Sequence, residues 1–285
     1  MDSTAFFHLA SHGEGTRLPL AAGCVVLSNL PGGRSAIRAL APSVKFVLSG
    51  EEVYRIEGRT RVLRPGRFLL VEAGSDFEVV TPRPDRTVGL CVYLGVSPDA
   101  VLPQNALGRV IEGGVAEPLS PLLSRYARRL AAQPGTGPAL APRIVEEVTG
   151  AAEQYLSSFA NRMERLSGVK RATRLETLQR VERARAFIHD HAERSLTLDD
   201  IASQAALSRF HLSRSFAEVH GLPPLAYHRR LRLLGAARLL TAESASPTEL
   251  AERLGYASLS AFTRAFRQTF GVPPSRARDG LSQAA

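Results

Sequence analysis

Residues 197–224 read TLDDIASQAALSRFHLSRSFAEVHGLPP, and residues 246–274 read SPTELAERLGYASLSAFTRAFRQTFGVPP. The two stretches are versions of one pattern. Leu212, Arg214 and Phe216 return as Phe262, Arg264 and Phe266, and Gly221-Leu222-Pro223-Pro224 as Gly271-Val272-Pro273-Pro274, all at an offset of 50. Upstream, Ile201-Ala202 returns as Leu250-Ala251 at an offset of 49, so the turn inside each unit differs by one residue. Each unit predicts a short helix, a tight turn and a second helix. Ser246-Pro247-Thr248-Glu249 is a complete start signal: Ser caps, Pro takes the first helical position and Glu reaches back. Thr197 before Leu198-Asp199-Asp200 is a weaker one. The second helix gathers Leu212, Phe216 and Val219, then Phe262, Phe266 and Phe270, on one face. That is the layout of a helix-turn-helix, whose second helix can lie in the major groove of DNA.

The segment joining the units predicts a helix from about Pro224 to Thr241. At ~1.5 Å per residue it is about 27 Å long, close to the ~34 Å of one DNA turn, so two recognition helices can meet successive grooves. The exposed face of the first would carry Arg209, Phe210, Ser213 and Arg214, and that of the second Leu259, Ser260, Thr263, Arg264 and Arg267. Arg bonds guanine edges bidentately, Ser and Thr reach several edges, and apolar groups touch thymine methyls. Arg214 and Arg264 recur in both units, which suits phosphate contact or a structural ion pair. Residues that differ between units, Arg209 and Phe210 against Leu259 and Ser260, are better candidates for reading sequence.

Charge supports the same end of the chain. From Gly168 onward there are 18 basic and 11 acidic residues, a net +7, whereas residues 1–167 hold 18 and 16. Such asymmetry points to an acidic partner for the C-terminal part, with double-stranded DNA the first candidate. Lys45 and Lys170 are the only lysines, so the basic residues are nearly all arginine.

Residues 174–278 resemble the double helix-turn-helix DNA-binding domain of the AraC/XylS family of bacterial transcription regulators. The resemblance rests on Leu198-Asp199-Asp200-Ile201-Ala202, Leu207-Ser208, Leu212-Ser213-Arg214-Ser215-Phe216 and the linker residues Arg232-Leu233, Ala236 and Leu239-Leu240. It continues through Leu250-Ala251, Leu254-Gly255-Tyr256, Phe262-Thr263-Arg264-Ala265-Phe266-Arg267 and Gly271-Val272-Pro273-Pro274-Ser275 to Arg278. Two departures stand out. Ala217 occupies a place usually basic in the family, as Arg267 is in the second unit, and Gly235 interrupts the linker helix at a cost of up to ~1 kcal/mol. The resemblance implies a regulator, most often an activator, that touches RNA polymerase and whose DNA binding is shifted by a small-molecule effector.

The front of the chain changes period. Val44–Leu48, Phe68–Val71 and Val88–Leu94 are apolar runs and Glu51–Ile56 alternates. Turn signals lie between them at Pro31-Gly32-Gly33, Glu57-Gly58, Pro65-Gly66, Ala73-Gly74 and Pro82-Arg83-Pro84. Short strands at even spacing predict a barrel or sandwich. The runs Leu48-Ser49-Gly50, Tyr54 to Gly58 and Leu63 to Gly66 are similar to the cupin-like effector barrel of many such regulators. Tyr54, Phe68, Phe77, Cys91 and Tyr93 are candidate lining residues for a ligand pocket, with ordinary core packing the alternative.

After Pro98 the period is helical. Leu119, Leu122, Leu123, Tyr126 and Leu130 share one face; Gln133 to Pro138 is a break. Val145, Val148, Ala152, Tyr155, Phe159, Met163 and Leu166 then form a seam that could pair two chains into a homodimer, or pack on the chain's own barrel or the preceding helix. The expectation is thus a multidomain α+β chain: a cupin-like β-barrel (1–97), a helical dimerisation segment (98–172) and an all-α double helix-turn-helix domain (173–285).

Other classes are excluded by what is missing. No run reaches the ~18 apolar residues of a membrane span. The N-terminus lacks a basic and apolar leader, and two cysteines cannot make a disulfide framework, so a cytoplasmic setting is expected. No histidine lies between Gly13 and Ile188, so the barrel cannot offer the imidazoles of a metal-dependent cupin enzyme; His8 and His12 are expected in solvent. Catalytic triads, paired catalytic carboxylates and phosphate-binding glycine loops are likewise not evident, and no catalytic residue, metal or cofactor is expected. A constitutive DNA-binding protein, with the barrel only a platform, is the rival reading.

Overall fold

The computed structural model describes residues 4–12, 21–56, 58–82, 85–95, 110–114, 117–168, 170–242 and 245–277. The expected boundary at 97–98, the closing Arg278, Glu57 and Arg83-Pro84 lie outside the described residues. The chain divides into two compact units, residues 1–179 and 180–285.

The first unit is built on ten strands: β1 (Ala5–Leu9), β2 (Cys24–Leu30), β3 (Gly33–Arg38), β4 (Ser43–Ser49), β5 (Glu52–Ile56), β6 (Arg59–Leu63), β7 (Phe68–Val71), β8 (Asp76–Thr81), β9 (Thr87–Tyr93) and β10 (Val110–Gly113). They form a six-stranded sheet, β1-β2-β9-β4-β7-β10, and a four-stranded one, β3-β8-β5-β6. All pairings are antiparallel except β1 with β2. Alternation along the strands turns one face of each sheet inward. Val47, Leu69, Val71 and Val110 of the larger sheet meet Tyr54, Ile56, Leu63, Phe77 and Val79 of the smaller in one buried cluster. The expected closed barrel is therefore corrected to two sheets face to face. Among the described residues each strand finds its strand partners within its own sheet, and the sheets pack through a shared cluster of buried side chains.

The other face of the larger sheet is covered by α1 (Leu119–Ala132) and α2 (Gly137–Glu164). The anticipated break lies between them as a 3₁₀ turn at Pro134–Thr136. The α2 seam is used here. Val145, Val148, Ala152, Tyr155, Phe159 and Met163 are all buried within the single chain, and the Tyr155 ring stands edge-on to Phe68 at 5.3 Å. Of the two roles the spacing left open, these side chains cover their own sheet, so they offer no free surface to a second chain.

In the second unit, the last turns of α3 (Arg171–Asp190) lead to α4 (Leu198–Ala205), α5 (Arg209–His220), α6 (Pro224–Thr241), α7 (Pro247–Arg253) and α8 (Leu259–Phe270). The start signals act as expected. Both Thr197 and Ser246 form complete capping boxes, with Asp200 and Glu249 returning the bond, so the earlier signal is as strong as the later. Helices α7 and α8 close on α6 around Leu233, Ala236, Leu240, Leu250, Phe262 and Phe266. The first half repeats the scheme with Ile201, Leu212, Phe216 and Val219 buried and Phe216 edge-on to Tyr227 at 5.4 Å. No helix among the described residues is long and apolar enough to cross a membrane.

Candidate nucleic-acid interface

Each recognition helix is started and stopped by its own sequence. Ser208 Oγ accepts from the His211 amide at 3.3 Å and Ser258 Oγ from the Ala261 amide at 3.2 Å. Gly221 and Gly271 end the helices in the left-handed region, at φ 75° and 76°. With both ends set and Leu212, Phe216, Phe262 and Phe266 facing inward, the opposite face is fixed outward. It holds Arg209, Phe210 and Arg214 on α5 and Leu259, Ser260, Arg264 and Arg267 on α8, all exposed; Ser213 and Thr263 are half-buried beside them. Phe210 is 71% exposed and Leu259 44%, large apolar groups that a folded core would otherwise take in. His211, also exposed on the first turn of α5, was missed by the sequence reading; its place one residue before buried Leu212 was the available signal.

The two units differ electrostatically. On α5, Arg214 pairs with Glu218 at 3.0 Å and Arg209 with Asp199 at 3.4 Å. At the place of Glu218, α8 carries Gln268, and at the place of Ala217 it carries Arg267. Bare guanidinium groups suit phosphate, whereas paired ones must exchange a carboxylate for it. The outer side of α6 adds Arg229, Arg230 and Arg238, all exposed.

Behind this face the first half of the unit is held by a half-buried polar group. His189 Nε2 lies 2.9 Å from Tyr227 Oη. Burial, helped by the Arg185 guanidinium, pushes the His189 imidazole down to about 4, with Asp190 and Glu182 opposing. Arg185 and Glu182 are themselves paired at 2.8 Å.

The candidate ligand residues of the first unit separate into two groups. Tyr54, Phe77, Cys91 and Tyr93 share the space between the sheets, where the Tyr54 and Phe77 rings are 5.7 Å apart. Phe68 does not join them. Its ring is on the helix side of β7, against Tyr155, so that position is corrected to a sheet–helix contact. What joins the four instead is a pair of charged residues that the sequence reading passed over, Lys45 and Glu52, each only 4% exposed. Lys45 Nζ donates to Cys91 Sγ at 2.8 Å and to Tyr93 Oη at 3.2 Å, and Tyr54 Oη donates to Glu52 Oε2 at 2.6 Å. Gly89 makes room for that carboxylate, since a Cβ there would lie 2.7 Å from Glu52 Oε1. Burial raises the Glu52 carboxyl above its usual range against the pull of Tyr54 and Lys45. Burial also raises the Cys91 thiol, with Lys45 opposing. The available signal was one of only two lysines standing inside an apolar run. His12 is likewise not in solvent: its ring lies 2.9 Å from Ser35 Oγ and 2.7 Å from Thr81 Oγ1.

The chain is similar to known proteins over its C-terminal part and beyond. A helix-turn-helix domain family matches residues 201–280. The chain is similar to the transcriptional activator NphR of a Rhodococcus species, 30% identical over 247 residues that cover 81% of this chain and 68% of NphR. It is also similar to the transcriptional activator RhaS of Escherichia fergusonii, 34% identical over 137 residues, covering 45% of this chain and about half (49%) of RhaS. Among solved structures, a transcriptional regulator with an AraC-type DNA-binding domain from Chromobacterium violaceum is 29% identical. It covers 37% of this chain and 95% of that one, with a TM-score of 0.34.

Proposed function

The chain belongs to the AraC/XylS family of transcription regulators, and from that premise we propose how this DNA-binding regulator reads its site. Helices α5 and α8 enter successive major grooves on one side of the duplex, spaced by α6. Arg209, Phe210, Ser213 and Arg214 face one groove and Leu259, Ser260, Thr263, Arg264 and Arg267 the next. The observation that carries this reading is the repeat itself. Two capped helices expose the same arginine position, Arg214 and Arg264, on either side of one 18-residue helix.

In this reading the protein activates transcription, as NphR and RhaS are named for doing, through contact with RNA polymerase. A small-molecule effector is sensed between the sheets at Tyr54, Phe77, Cys91 and Tyr93. A ligand there acts only through its different affinity for two arrangements of the chain. The working divisions are a sensing region to residue 97, a helical region to 172 and a DNA-binding region beyond. Homodimers form through a surface other than the α2 seam, whose side chains are already covered. Catalysis has no part in the reading.

The test is retention of random genomic DNA fragments by the full chain over a salt series, followed by sequencing of what is kept. The expected result is a shared motif with two half-features about one helical turn apart. Arg264→Glu should abolish retention with the circular dichroism spectrum unchanged. Tight but motif-free binding with a steep salt slope would overturn the reading in favour of a phosphate-only binder.

A further inference from the structure

Lys45 and Cys91 are directly opposite each other on β4 and β9. Their side chains meet between the sheets with Nζ 2.8 Å from Sγ. DNA binding asks nothing of this contact, and it is an unusual one to bury. The lysine is 4% exposed, and its hydrogen-bond partners are a sulfur and a phenol rather than a carboxylate. The nearby carboxylate, Glu52, is already bonded to Tyr54. Ring faces complete the surroundings, with Nζ 4.4 Å from the Tyr93 centroid and 5.1 Å from that of Phe77. An ammonium out of water is costly without an anion beside it. This one is held by neighbours on both sheets and aimed at the Cys91 sulfur. Cys91 as a residue is partly rather than fully buried.

We propose that Cys91 and Lys45 form a site of reversible oxidative cross-linking, in which a peroxide converts the pair to a sulfenamide across β4 and β9. In the first step the Cys91 thiol is oxidised by two electrons to the sulfenic acid while the peroxide O–O bond is reduced, giving one water. In the second, the Lys45 ammonium first loses a proton to solvent, and the resulting amine attacks sulfur, so that the S–O bond breaks and an S–N bond forms. A second nitrogen proton leaves with the hydroxide as water, and the third stays on the S–N nitrogen. Two strands then share a covalent bond at a point where they shared one hydrogen bond, and a buried cation is gone. A thiol attacks the sulfur and frees the Lys45 amine, leaving a mixed disulfide on Cys91, and a second thiol displaces it to restore the Cys91 thiol. The proposal does not rest on the DNA-binding reading, because it is read by mass.

Cys24 supplies the rival product. It lies on β2, next to β9, two residues from Val26, which is opposite Cys91. The experiment treats the reduced full chain with hydrogen peroxide and follows intact mass and tryptic peptides, with Cys24→Ser, Lys45→Arg and Cys91→Ser alongside. The expected product is about 2 Da lighter than the reduced chain, is not cut after Lys45, joins the peptides containing residues 45 and 91, and reverts with dithiothreitol. It should persist in Cys24→Ser and vanish in Lys45→Arg and Cys91→Ser. A link lost in Cys24→Ser would instead be a Cys24–Cys91 disulfide and would overturn the proposal. So would oxygen addition at Cys91 with no joined peptides. Should Lys45→Arg not fold, the peptide map of Cys24→Ser still decides between these outcomes.

Discussion

The turn between the two helices of each motif offers a clean comparison, because the chain solves the same turn twice with different residues. At the end of α4, Ala206 adopts φ 51° and is the one non-glycine residue with positive φ among the described residues. Its counterpart after α7 is Gly255, at φ 70°. The hydrogen bonds correspond. Leu207 N donates to Ala202 O at 3.1 Å and Tyr256 N to Ala251 O at 2.9 Å, each closing the helix end. The left-handed conformation costs an L-residue about 1–2 kcal/mol. Glycine recovers that strain and forfeits about 0.4–1 kcal/mol through its freer unfolded chain. Ala206→Gly should therefore stabilise the helical unit by about 0.5–1 kcal/mol, raising its melting temperature by a few degrees. Gly255→Ala should lose a similar amount through conformation alone, because an added Cβ meets nothing within 4 Å. Urea unfolding of both variants, followed by far-ultraviolet circular dichroism, measures the pair. A neutral or destabilising Ala206→Gly together with a neutral Gly255→Ala would refute the reasoning.

Three more predictions concern charge and packing. Glu218→Gln releases Arg214 from its 3.0 Å pair. Binding to non-specific DNA should tighten a few-fold and the log–log salt slope steepen by about one phosphate; an unchanged slope would show that Arg214 faces no phosphate. Because burial keeps His189 neutral, with its pKa at about 4 rather than 6.5, the unfolded chain binds the extra proton between those values. Stability of the helical unit should be flat above about pH 6.5 and fall by about 1–2 kcal/mol toward pH 4, a figure reduced for the ring's partial exposure. His189→Gln should remove that part of the decline in urea midpoints, and an identical decline would place its origin elsewhere. Finally, a Cβ at Gly113 would land on the Phe68 ring. Gly113→Ala should cost the first unit about 1–3 kcal/mol in chemical unfolding and leave the DNA-binding unit unaffected.

The recognition helices were legible because everything that makes them is local. A serine cap, a glycine in the left-handed region and an apolar residue every third or fourth place act over a single turn. The repeat at an offset of 50 then assigned both copies at once. Even so, local signals misjudged strength at Thr197, where Asp200 completes a capping box as fully as Glu249 does for Ser246. The exposed face of each helix followed from its buried one, and so did the nine candidate contact residues.

The first unit was less legible because central strands of its larger sheet, β4 and β7, are buried on both sides. In β7 all four residues, Phe68 to Val71, are buried, so no alternation says which pair faces the helices and which faces the other sheet. Phe68 was therefore left between pocket lining and core packing, and it packs against Tyr155 on the helix side. Lys45 was lost in an apolar run by the same blindness, since its neighbours Cys91 and Tyr93 come from a strand more than forty residues away. The seam on α2 shows the limit most plainly. Its spacing required an apolar partner for Val145 to Met163, and any apolar surface would have met that requirement. From its sequence alone this chain determined the two helix-turn-helix units, their outward residues and the asymmetry of their charge. Tertiary structure decided the open pair of sheets, the covering of the α2 seam and the meeting of Lys45 with Cys91, because a periodicity specifies the character of a partner and only packing specifies its identity.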